Sequence, residues 1–486
     1  MLNNNEGKES VMNDVTTLVW FRQDLRINDN PALFYAAEQG SILPVYILDD
    51  EHAGEWRLGG ASRWWLHQSL TALDLSLDGG LRFFCGDPLR LIPELLQASG
   101  IRRVVWNRCY QPWQINRDKA LKRLLTDQGI EVHTYNGSLL WEPWSVLKKD
   151  QTPYKVFTPY FRSACQALDT PRFPLPAPAA VQLSAHAPKG LPLESLELMP
   201  KHRWYQGLAL HWQPGERGAA DRMAEFVNQG MADYSSGRDR PDIEGTSRLA
   251  PHLRFGELSP HQLWYVARQQ PLPAAAESDR ESFVRQLGWR EFSYQLLYHW
   301  PGLPRENFQT KFDRLVWRQD PEGLIAWQQG MTGIPLIDAG MRELWQTGYM
   351  HNRVRMLVGS FLVKNLGIHW LLGASWFWGT LVDADLANNS ASWQWVAGCG
   401  TDAAPYFRIF NPVTQGQKFD PQGLYVKRYC PELARLPVKY IHCPWLAPSA
   451  VLEECGVILG THYPRPIVDL KQSRQRALDA FAALNN

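Results

Sequence analysis

The chain has 486 residues, with 50 lysines and arginines against 49 aspartates and glutamates, so its net charge of +1 provides no overall field toward nucleic acid or membrane. Its 7 cysteines are scattered without a CxxC pair, which indicates neither a disulfide framework nor a metal site. The first residues lack the pattern of a signal peptide, and no apolar run approaches transmembrane length. We therefore expect a cytoplasmic protein with a disordered tail at residues 1–15.

Five short apolar runs alternate with helical patterns in the next part of the chain. The runs are rich in β-branched and aromatic residues, as buried parallel strands are. We predict an α/β domain over residues 16–145 with a doubly wound parallel sheet, in which Asn30 caps the first helix and Pro31 begins it. No GxGxxG motif follows the first strand, which disfavours a dinucleotide bound as in Rossmann dehydrogenases. The predicted strands are Thr17–Phe21, Ile42–Leu48, Leu81–Cys85, Val104–Trp106 and Glu131–Tyr135.

The pattern changes twice after this domain. Residues 146–215 are predicted to form a linker, because Pro171–Pro192 is rich in proline and has little periodicity. Residues 216–475 read as an all-α C-terminal domain, in which Ser259 and Pro260 mark the start of one helix. Its longest predicted helices are Glu281–His299, Ile337–Leu366 with a break at Gly348, and Trp370–Leu386.

A strip of mixed polar and aromatic residues, Leu381–Pro412, stands out within the helical part. Asp383 and Asp385 lie close in sequence to Trp393 and Trp395. Buried acids need hydrogen-bonding partners that apolar neighbours do not provide. The strip fits one wall of a site for a flat ligand with polar edges. It fits equally well an ordinary helix end with core tryptophans and solvated acids.

A loop and two helices supply further candidate residues. The loop Tyr234–Ser247 carries glycines and ends in two hydroxyl residues, which can donate hydrogen bonds to phosphate, although many surface loops share this composition. In one helix, Gln286 and Arg290 share a face with Trp289 at its margin, a combination that suits either a pocket for a planar base or a half-buried amphipathic surface. In the other, Arg355 is placed to pair with a downstream acid such as Asp383.

Several long motifs together resemble the photolyase/cryptochrome family. The resemblance extends from about Leu18 to Arg465. Members of this family bind FAD, folded into a U shape, within their helical domain. The motifs are VWFRQDLRINDNPAL, GRDRPxxxGTSRL, LGWREF, TGIPLIDAGMREL, MHNRVRM and DADLANNSASWQWVAGCGTDAAPYFRIFNP.

The resemblance implies an FAD site made of two groups of residues. One group would hold the phosphates and the ribityl chain, and the other would surround the isoalloxazine ring, with Asn389 facing N5. A neutral amide there suits a fully reduced anionic flavin, whereas plant cryptochromes have an aspartate that protonates a radical. Asn389 therefore favours repair over signalling. The implied residues are Tyr234, Thr246, Ser247 and Leu249 in the first group, and Asn352, Arg355, Asp383, Asp385 and Asn389 in the second.

The resemblance also implies an electron path and a substrate pocket. Photoreduction would run along Trp393, Trp370 and Trp317. Photolyases extrude the damaged bases from the duplex, and the flipped dimer would be clamped between two tryptophans. The implied contacts with the dimer or DNA are Gln286, Trp289, Arg290, Met356, Trp395, Arg238, Arg353 and Arg408.

Four positions bear on the choice of substrate and antenna. Six-four photolyases carry histidines where this chain has Asn352 and Met356, which argues for a cyclobutane dimer as substrate. Gln286 replaces a glutamate that is usual in cyclobutane dimer photolyases, and Gln111 replaces a glutamate associated with the antenna pterin. The identity of the antenna therefore stays open: the chromophore is methenyltetrahydrofolate or a deazaflavin, or there is no antenna.

Taken together, the residues and the resemblance predict a light-dependent lyase that repairs cyclobutane pyrimidine dimers in DNA. An electron from excited, reduced FAD would split the flipped dimer. A monomer without a metal ion is expected. The alternatives are a cryptochrome-type blue-light photoreceptor, which Gln286 favours, and a six-four photolyase, which Asn352 and Met356 disfavour.

Overall fold

The structure is a computed structural model that describes residues 15–167, 170–402 and 408–484, so the predicted tail lies outside the described residues except for residue 15. Five strands, all paired in parallel, form one sheet in the order β3–β2–β1–β4–β5. This confirms the predicted α/β fold of the N-terminal part. The strands are β1 (Thr17–Phe21), β2 (Ile42–Leu48), β3 (Arg82–Cys85), β4 (Arg103–Asn107) and β5 (Glu131–Tyr135).

Beyond β5 the described residues form helices, loops and isolated β-bridges but no further strand, which confirms the helical C-terminal part. Two helices continue into π-helical turns, Phe226–Gly230 and Phe361–Leu366. The α-helices are α1 (Pro31–Gln39), α2 (Asp50–Ala53), α3 (Gly60–Ser76), α4 (Pro88–Ser99), α5 (Pro112–Asp127), α6 (Phe157–Ala167), α7 (Gln206–His211), α8 (Glu216–Glu225), α9 (Tyr234–Gly237), α10 (Ala250–Phe255), α11 (Pro260–Gln269), α12 (Glu277–His299), α13 (Pro321–Gln329), α14 (Pro335–Thr347), α15 (Asn352–Ser360), α16 (Trp370–Thr380), α17 (Leu386–Ala397), α18 (Pro412–Phe419), α19 (Leu424–Tyr429), α20 (Ser449–Cys455) and α21 (Leu470–Ala483). Short 3₁₀ helices cover Gly54–Trp56, Leu193–Leu196, Arg203–Tyr205, Ala274–Ala276, Thr310–Arg314, Pro431–Leu433 and Pro444–Leu446.

The sheet separates two apolar cores, because successive side chains of a strand point to opposite faces. Val19 and Phe21 of β1 pack with α1 and α3 on one face, whereas Leu18 and Trp20 pack with α4 and α5 on the other. Both faces are therefore covered by helices, as a doubly wound sheet requires. The first of these cores also includes Val382, so the polar–aromatic strip is anchored against the α/β part.

The interval predicted as a linker, 146–215, contains helices α6 and α7 as well as an extended run. Around Leu183 and Leu191 the proline-rich segment makes isolated bridges to the sheet, at Ile42 and Phe83. The bond from Leu191 N–H to the Phe83 carbonyl covers part of the outer edge of β3, where an unpaired strand would expose its backbone groups.

The prediction of one continuous helix over Trp370–Leu386 was wrong. The backbone leaves the helix after Thr380 and becomes helical again at Leu386. The reason is long-range hydrogen bonding. The N–H of Val382 donates to the Gly348 carbonyl (2.8 Å), and Nε of Arg254 donates to the Ala384 carbonyl (2.7 Å).

Glu291 of α12 connects the helical part to the segment that follows β5. Its buried carboxylate accepts hydrogen bonds from the N–H groups of Leu140 (2.7 Å) and Trp141 (3.4 Å), and Arg290 contributes a third (2.7 Å). A buried carboxylate is stable when paired and hydrogen-bonded, and its removal leaves the partner charge and donors unsatisfied.

We therefore expect Glu291→Ala to lower the free energy of unfolding by about 3–5 kcal/mol, measured by urea denaturation. Glu281→Ala on the same helix removes a more exposed ion pair with Arg268 and serves as the matched control, with an expected loss of less than about 1 kcal/mol. Equal losses in the two variants would show that Glu291 does not hold these segments together.

Candidate active site

The polar–aromatic strip begins as an extended turn that an ion pair holds in place. Nη2 of Arg355 lies 3.1 and 2.9 Å from the two carboxylate oxygens of Asp383, and Nε of the same arginine donates to the Met350 carbonyl (2.6 Å). The guanidinium lies 5.1 Å from the ring centre of Tyr349. These contacts fix both side chains, so their charges occupy defined positions at the start of the strip.

Asp385 is the N-cap of α17. One of its carboxylate oxygens accepts from the backbone N–H (2.8 Å) and the side-chain amide (2.7 Å) of Asn388, and the other accepts from the hydroxyl of Tyr294 (2.5 Å). The buried acid is thereby satisfied by the protein's own donors and fixes where the helix starts. Tyr294 was not predicted as a site residue, because its contact with Asp385 joins residues that are far apart in the chain.

Asn389 lies one turn into α17 and is half-buried. Its Nδ2 donates to the Ala374 carbonyl on α16 (3.0 Å), which fixes the amide plane. Its Oδ1 receives no hydrogen bond from the described part of the chain. An amide oxygen in this position can accept a hydrogen bond from a ligand but has no proton to give.

The loop before α10 presents backbone donors, and Arg222 of α8 determines their direction. Arg222 donates to the carbonyls of Thr246 (3.2 Å) and Ser247 (2.9 Å). Since the C=O and N–H of one trans peptide point in opposite directions, the N–H groups of Ser247 and Arg248 point away from α8. Within the described residues neither N–H meets an acceptor, and free backbone donors of this kind bind phosphate oxygens.

Two more of the predicted residues lie against this loop region. Tyr234 of α9 is buried, and the pKa of its hydroxyl is raised to about 12 by that burial. Leu249 is also buried, and its N–H lies 3.4 Å from the Ser247 hydroxyl. Asn352 is the first residue of α15 and is exposed.

Arg238 and Gln286 are in contact. Nη2 of Arg238 donates to Oε1 of Gln286 (3.3 Å), and its guanidinium lies 5.4 Å from the ring centre of Tyr234. Nε2 of Gln286 donates to the Ser282 carbonyl one helical turn earlier (3.0 Å). The amide is thus oriented by both partners, and one of its two N–H bonds remains for a ligand.

Each of the two tryptophans predicted to clamp the substrate is held by a contact with another residue. Trp289 stacks on Phe157 with ring centres 3.8 Å apart and planes inclined by 10°. Nε1 of Trp395 donates to the Asp402 carbonyl (3.2 Å). Both indoles are half-buried, as is Met356 on α15. Half-buried aromatic side chains that are already held in place offer a broad apolar contact area and lose little conformational entropy when a ligand binds.

Three of the predicted basic residues differ in their ion pairing and in their exposure to solvent. Arg290 is paired with Glu291 and its side chain is largely buried, so this placement does not favour a contact with DNA phosphates. Arg353 is paired with Asp239 (2.6 Å). The side chain of Arg408 is exposed, and its carbonyl accepts from Lys364. Residues 403–407 of the strip lie outside the described residues.

The three tryptophans predicted to carry electrons lie on connected elements. The ring of His369 contacts both Trp317 and Trp370, with ring-centre distances of 4.8 Å and 5.8 Å respectively. Trp393 packs against Gly373 of α16 so closely that a Cβ there would approach its ring to 2.2 Å, and Trp370 lies one turn earlier on that helix. Burial lowers the pKa of His369, so its ring adds no charge between the indoles near neutral pH.

A recess lies at the carboxyl ends of the strands. It is partly open to solvent and is lined by Arg22 after β1, Asp49 after β2 and Gln111 after β4. Oε1 of Gln111 accepts from the Trp113 indole (2.8 Å), but the buried Nε2 of Gln111 and the buried Oε1 of Gln114 have no hydrogen-bond partner among the described residues. This end of a parallel sheet is where doubly wound folds bind ligands.

Two negative findings hold for residues 15–167, 170–402 and 408–484. They contain no cluster of three or more His, Cys, Asp or Glu side chains arranged to hold a metal ion. They also contain no helix whose length and apolar character would let it cross a membrane.

His351 caps α15 and is kept neutral by its surroundings. Its Nδ1 accepts from the N–H of Arg353 (3.2 Å), so the neutral ring carries its hydrogen on Nε2, a buried donor without a partner among the described residues. Burial lowers the pKa of His351 from 6.5 to about 4. Its contribution to stability is complete above the unfolded-state pKa and is lost as the pH falls through the folded-state pKa.

We expect the wild-type protein to lose about 2 kcal/mol more stability than His351→Asn between pH 7 and pH 5, because asparagine caps a helix without titrating. Urea denaturation at each pH measures the difference. The exposed His186→Asn is the control and should follow the wild type. A wild-type pH dependence that persists in His351→Asn would contradict the buried neutral cap.

The chain is similar to known proteins over nearly its whole length. The family model of DNA photolyase matches residues 17–179, and the FAD binding domain of DNA photolyase matches residues 283–483. A deoxyribodipyrimidine photo-lyase of Agrobacterium fabrum is 47% identical over 96% of this chain and 98% of its own, and cryptochrome-2 of Arabidopsis thaliana is 38% identical over 96% and 79%. The crystal structure of a bacterial class III photolyase from Agrobacterium tumefaciens has a TM-score of 0.93 and 45% identity, covering 99% of both chains. The chain belongs to the DNA photolyase/cryptochrome family.

Proposed function

We propose that this protein is a deoxyribodipyrimidine photo-lyase that uses light and reduced FAD to repair cyclobutane pyrimidine dimers in DNA. The observation that carries the proposal is the composition of α17. Asp385 starts this helix, and Asn389, Trp393 and Trp395 follow on it within three turns. A single rigid element thereby joins the residues assigned to the cofactor, to electron supply and to the lesion.

The chemistry of the donor set fits FAD. The free N–H groups of Ser247 and Arg248 suit the phosphates, and the buried, unpartnered Nε2 of His351 is a donor that a ligand can satisfy. The Arg355–Asp383 pair supplies both a positive and a negative group for a polar ring edge. When bound, FAD supplies the photochemistry, which is the absorption of blue light and the transfer of an electron.

Asn389 supports repair over signalling. Its amide is fixed by Ala374, so the oxygen is the group left for the cofactor's ring nitrogen. An amide cannot donate a proton from a carboxyl group as an aspartate can. The site therefore suits a fully reduced, anionic cofactor, whose ring N–H could donate to the amide oxygen, and this is the form that repair requires.

The lesion pocket suits a pair of covalently joined pyrimidines. Trp289 and Trp395 provide the aromatic faces, and stacking of this kind contributes about 1–3 kcal/mol per base. The free N–H of Gln286 can donate to a pyrimidine carbonyl, so replacing the usual glutamate keeps a hydrogen bond while removing a charge. Extrusion is less costly for a damaged, poorly stacked pair, which gives selectivity over intact bases.

Around the pocket, Arg238 and Arg408 supply positive charge for phosphates. Arg238 is half-buried beside Gln286, and the side chain of Arg408 is exposed. Since phosphate contacts release counterions, binding of damaged duplex should weaken as salt is added. A basic rim of this kind attracts DNA although the net charge of the whole chain is only +1.

We infer that the recess at the carboxyl ends of the strands holds a second, light-harvesting chromophore. The unpartnered amide groups of Gln111 and Gln114 offer it a donor and an acceptor, and Trp113 offers an aromatic face. Methenyltetrahydrofolate and a deazaflavin both have the planar, hydrogen-bonding ring that this lining suits.

We also infer that one chain is the working unit and that it acts in the cytoplasm. All the residues assigned to the cofactor, the electron path and the lesion belong to one chain. The seven cysteines are free thiols, which suits a reducing compartment.

The test is illumination of purified, reduced protein with an oligonucleotide that contains one cyclobutane thymine dimer, following the recovery of thymine absorbance. We expect light-dependent recovery with the dimer and none with a six-four lesion or in the dark. Trp289→Ala should weaken binding of the damaged duplex by about tenfold, whereas the half-exposed Trp144→Ala should leave it unchanged.

The alternatives give different results in the same experiment. A protein with bound, reduced FAD and no light-dependent recovery would overturn repair and favour a cryptochrome-type photoreceptor. Recovery from the six-four lesion alone would identify a six-four photolyase. Binding that is unchanged in Trp289→Ala would show that the lesion pocket is misplaced.

A further inference from the structure

Asp402 is connected to both tryptophans of the lesion pocket, directly to Trp395 and through Phe157 to Trp289. It follows α17 by five residues and has a positive φ of 51°, a conformation that aspartate tolerates better than most non-glycine residues. The backbone before it is closely packed, since a Cβ at Gly400 would come within 2.8 Å of the Trp395 nitrogen. Asp402 is therefore held in one position relative to α17.

Two hydrogen bonds extend from Asp402 in different directions. Its backbone carbonyl accepts from Nε1 of Trp395 (3.2 Å), and its carboxylate accepts from the N–H of Phe157, the first residue of α6 (3.3 Å). Burial raises the pKa of the Asp402 carboxyl, and the hydrogen bond from the Phe157 N–H opposes that shift. One residue thus joins the end of α17 to the start of α6.

Phe157 extends this connection to the second tryptophan. Its ring is buried and lies 3.8 Å from that of Trp289, nearly parallel to it. The Arg285 guanidinium lies 5.2 Å from the Phe157 ring centre, and Phe292 makes an edge contact with Trp289. These contacts hold Phe157 and Trp289 together. The spacing of α12 and α17 does not depend on Asp402, because the Tyr294 hydroxyl on α12 donates directly to Asp385 at the start of α17 (2.5 Å). The two bonds of Asp402 bear instead on the orientation of the Trp395 indole and on the placement of Phe157 behind Trp289.

We propose that Asp402 is a positioning residue that sets the orientation of Trp289 and Trp395 for the flipped dimer. The inference rests on the proposed function, because it assumes that these two indoles enclose the lesion. A pocket that clamps a rigid, joined pair of bases needs its two rings correctly oriented before the bases enter. Asp402 meets that need through the connected series Trp395, Asp402, Phe157 and Trp289.

A plain helix-capping role makes a different prediction from a positioning role. Asp320 caps α13 in a comparable way, accepting from the N–H of Gly323 (2.8 Å), and its variant Asp320→Gly is the matched control for lost capping. Asp402→Gly removes the carboxylate while keeping the positive φ accessible. Asp402→Asn retains a side-chain acceptor and tolerates the same φ, so it is the conservative variant.

The experiment measures the binding of damaged and undamaged duplex by flavin-loaded protein, together with flavin content and the thermal midpoint. We expect Asp402→Gly to weaken binding of the damaged duplex about tenfold, because a hydrogen bond to a charged group is lost. Binding of undamaged duplex and flavin content should stay at the wild-type level. Asp402→Asn should restore damage binding to within about threefold of wild type, and Asp320→Gly should leave it unchanged.

A double-variant comparison tests whether Asp402 acts through the tryptophan. In a Trp289→Ala background, Asp402→Gly should cause a smaller loss of damage binding than in the wild type, since one of the two rings that it orients is already absent. Independent, additive losses would overturn the inference, as would damage binding that is unaffected by Asp402→Gly. Equal losses for damaged and undamaged duplex would assign Asp402 a purely structural role and would also overturn it.

The wild-type measurement separates this inference from the proposed function. No preference of the wild type for damaged over undamaged duplex overturns the proposed function and the inference with it. A wild-type preference that Asp402→Gly keeps in full overturns the inference alone.

Discussion

The ion pair between Arg355 and Asp383 fixes an acidic side chain within the one non-helical turn on which the candidate active site depends. The side chain of Asp383 is only 5% exposed, so its charge would be costly without the arginine beside it. Such a pair contributes more to geometry than to net stability, because desolvation offsets much of the attraction. Here the geometry is an interruption between α16 and α17, where Val382 and Ala384 bond to distant segments instead of continuing a helix.

This interruption has consequences along the whole of α17. It allows Asp385 to cap a new helix, and the cap sets which residues share each face of it. Asn389 then faces α16, Trp393 packs against Gly373, and Trp395 reaches toward Asp402. A change in the start of the helix would rotate all three side chains together, by about 100° for each residue of shift. Cofactor binding, electron supply and lesion binding are therefore properties of one packed unit.

The local sequence pattern was sufficient to predict much of the fold. The alternation of apolar runs with helical segments predicted the parallel sheet, and Asn30 and Ser259 cap their helices as their sequence contexts indicate. The break after Thr380 was not predictable in this way, because Leu381 and Val382 continue the apolar pattern. The bonds that decide it come from Gly348 and Arg254, which are far away in the chain. Contacts of the same long-range kind place Arg222 and Phe157 at the site.

The role of this pair is tested most directly by measuring the affinity of the FAD-free protein for FAD in a double-mutant cycle of Arg355→Met and Asp383→Asn. We expect each variant to bind FAD at least about tenfold more weakly, and the double variant to be weaker by much less than the product of the two losses. Near-wild-type affinity in both single variants, or losses that multiply as independent effects do, would contradict the claim that this pair organises the site.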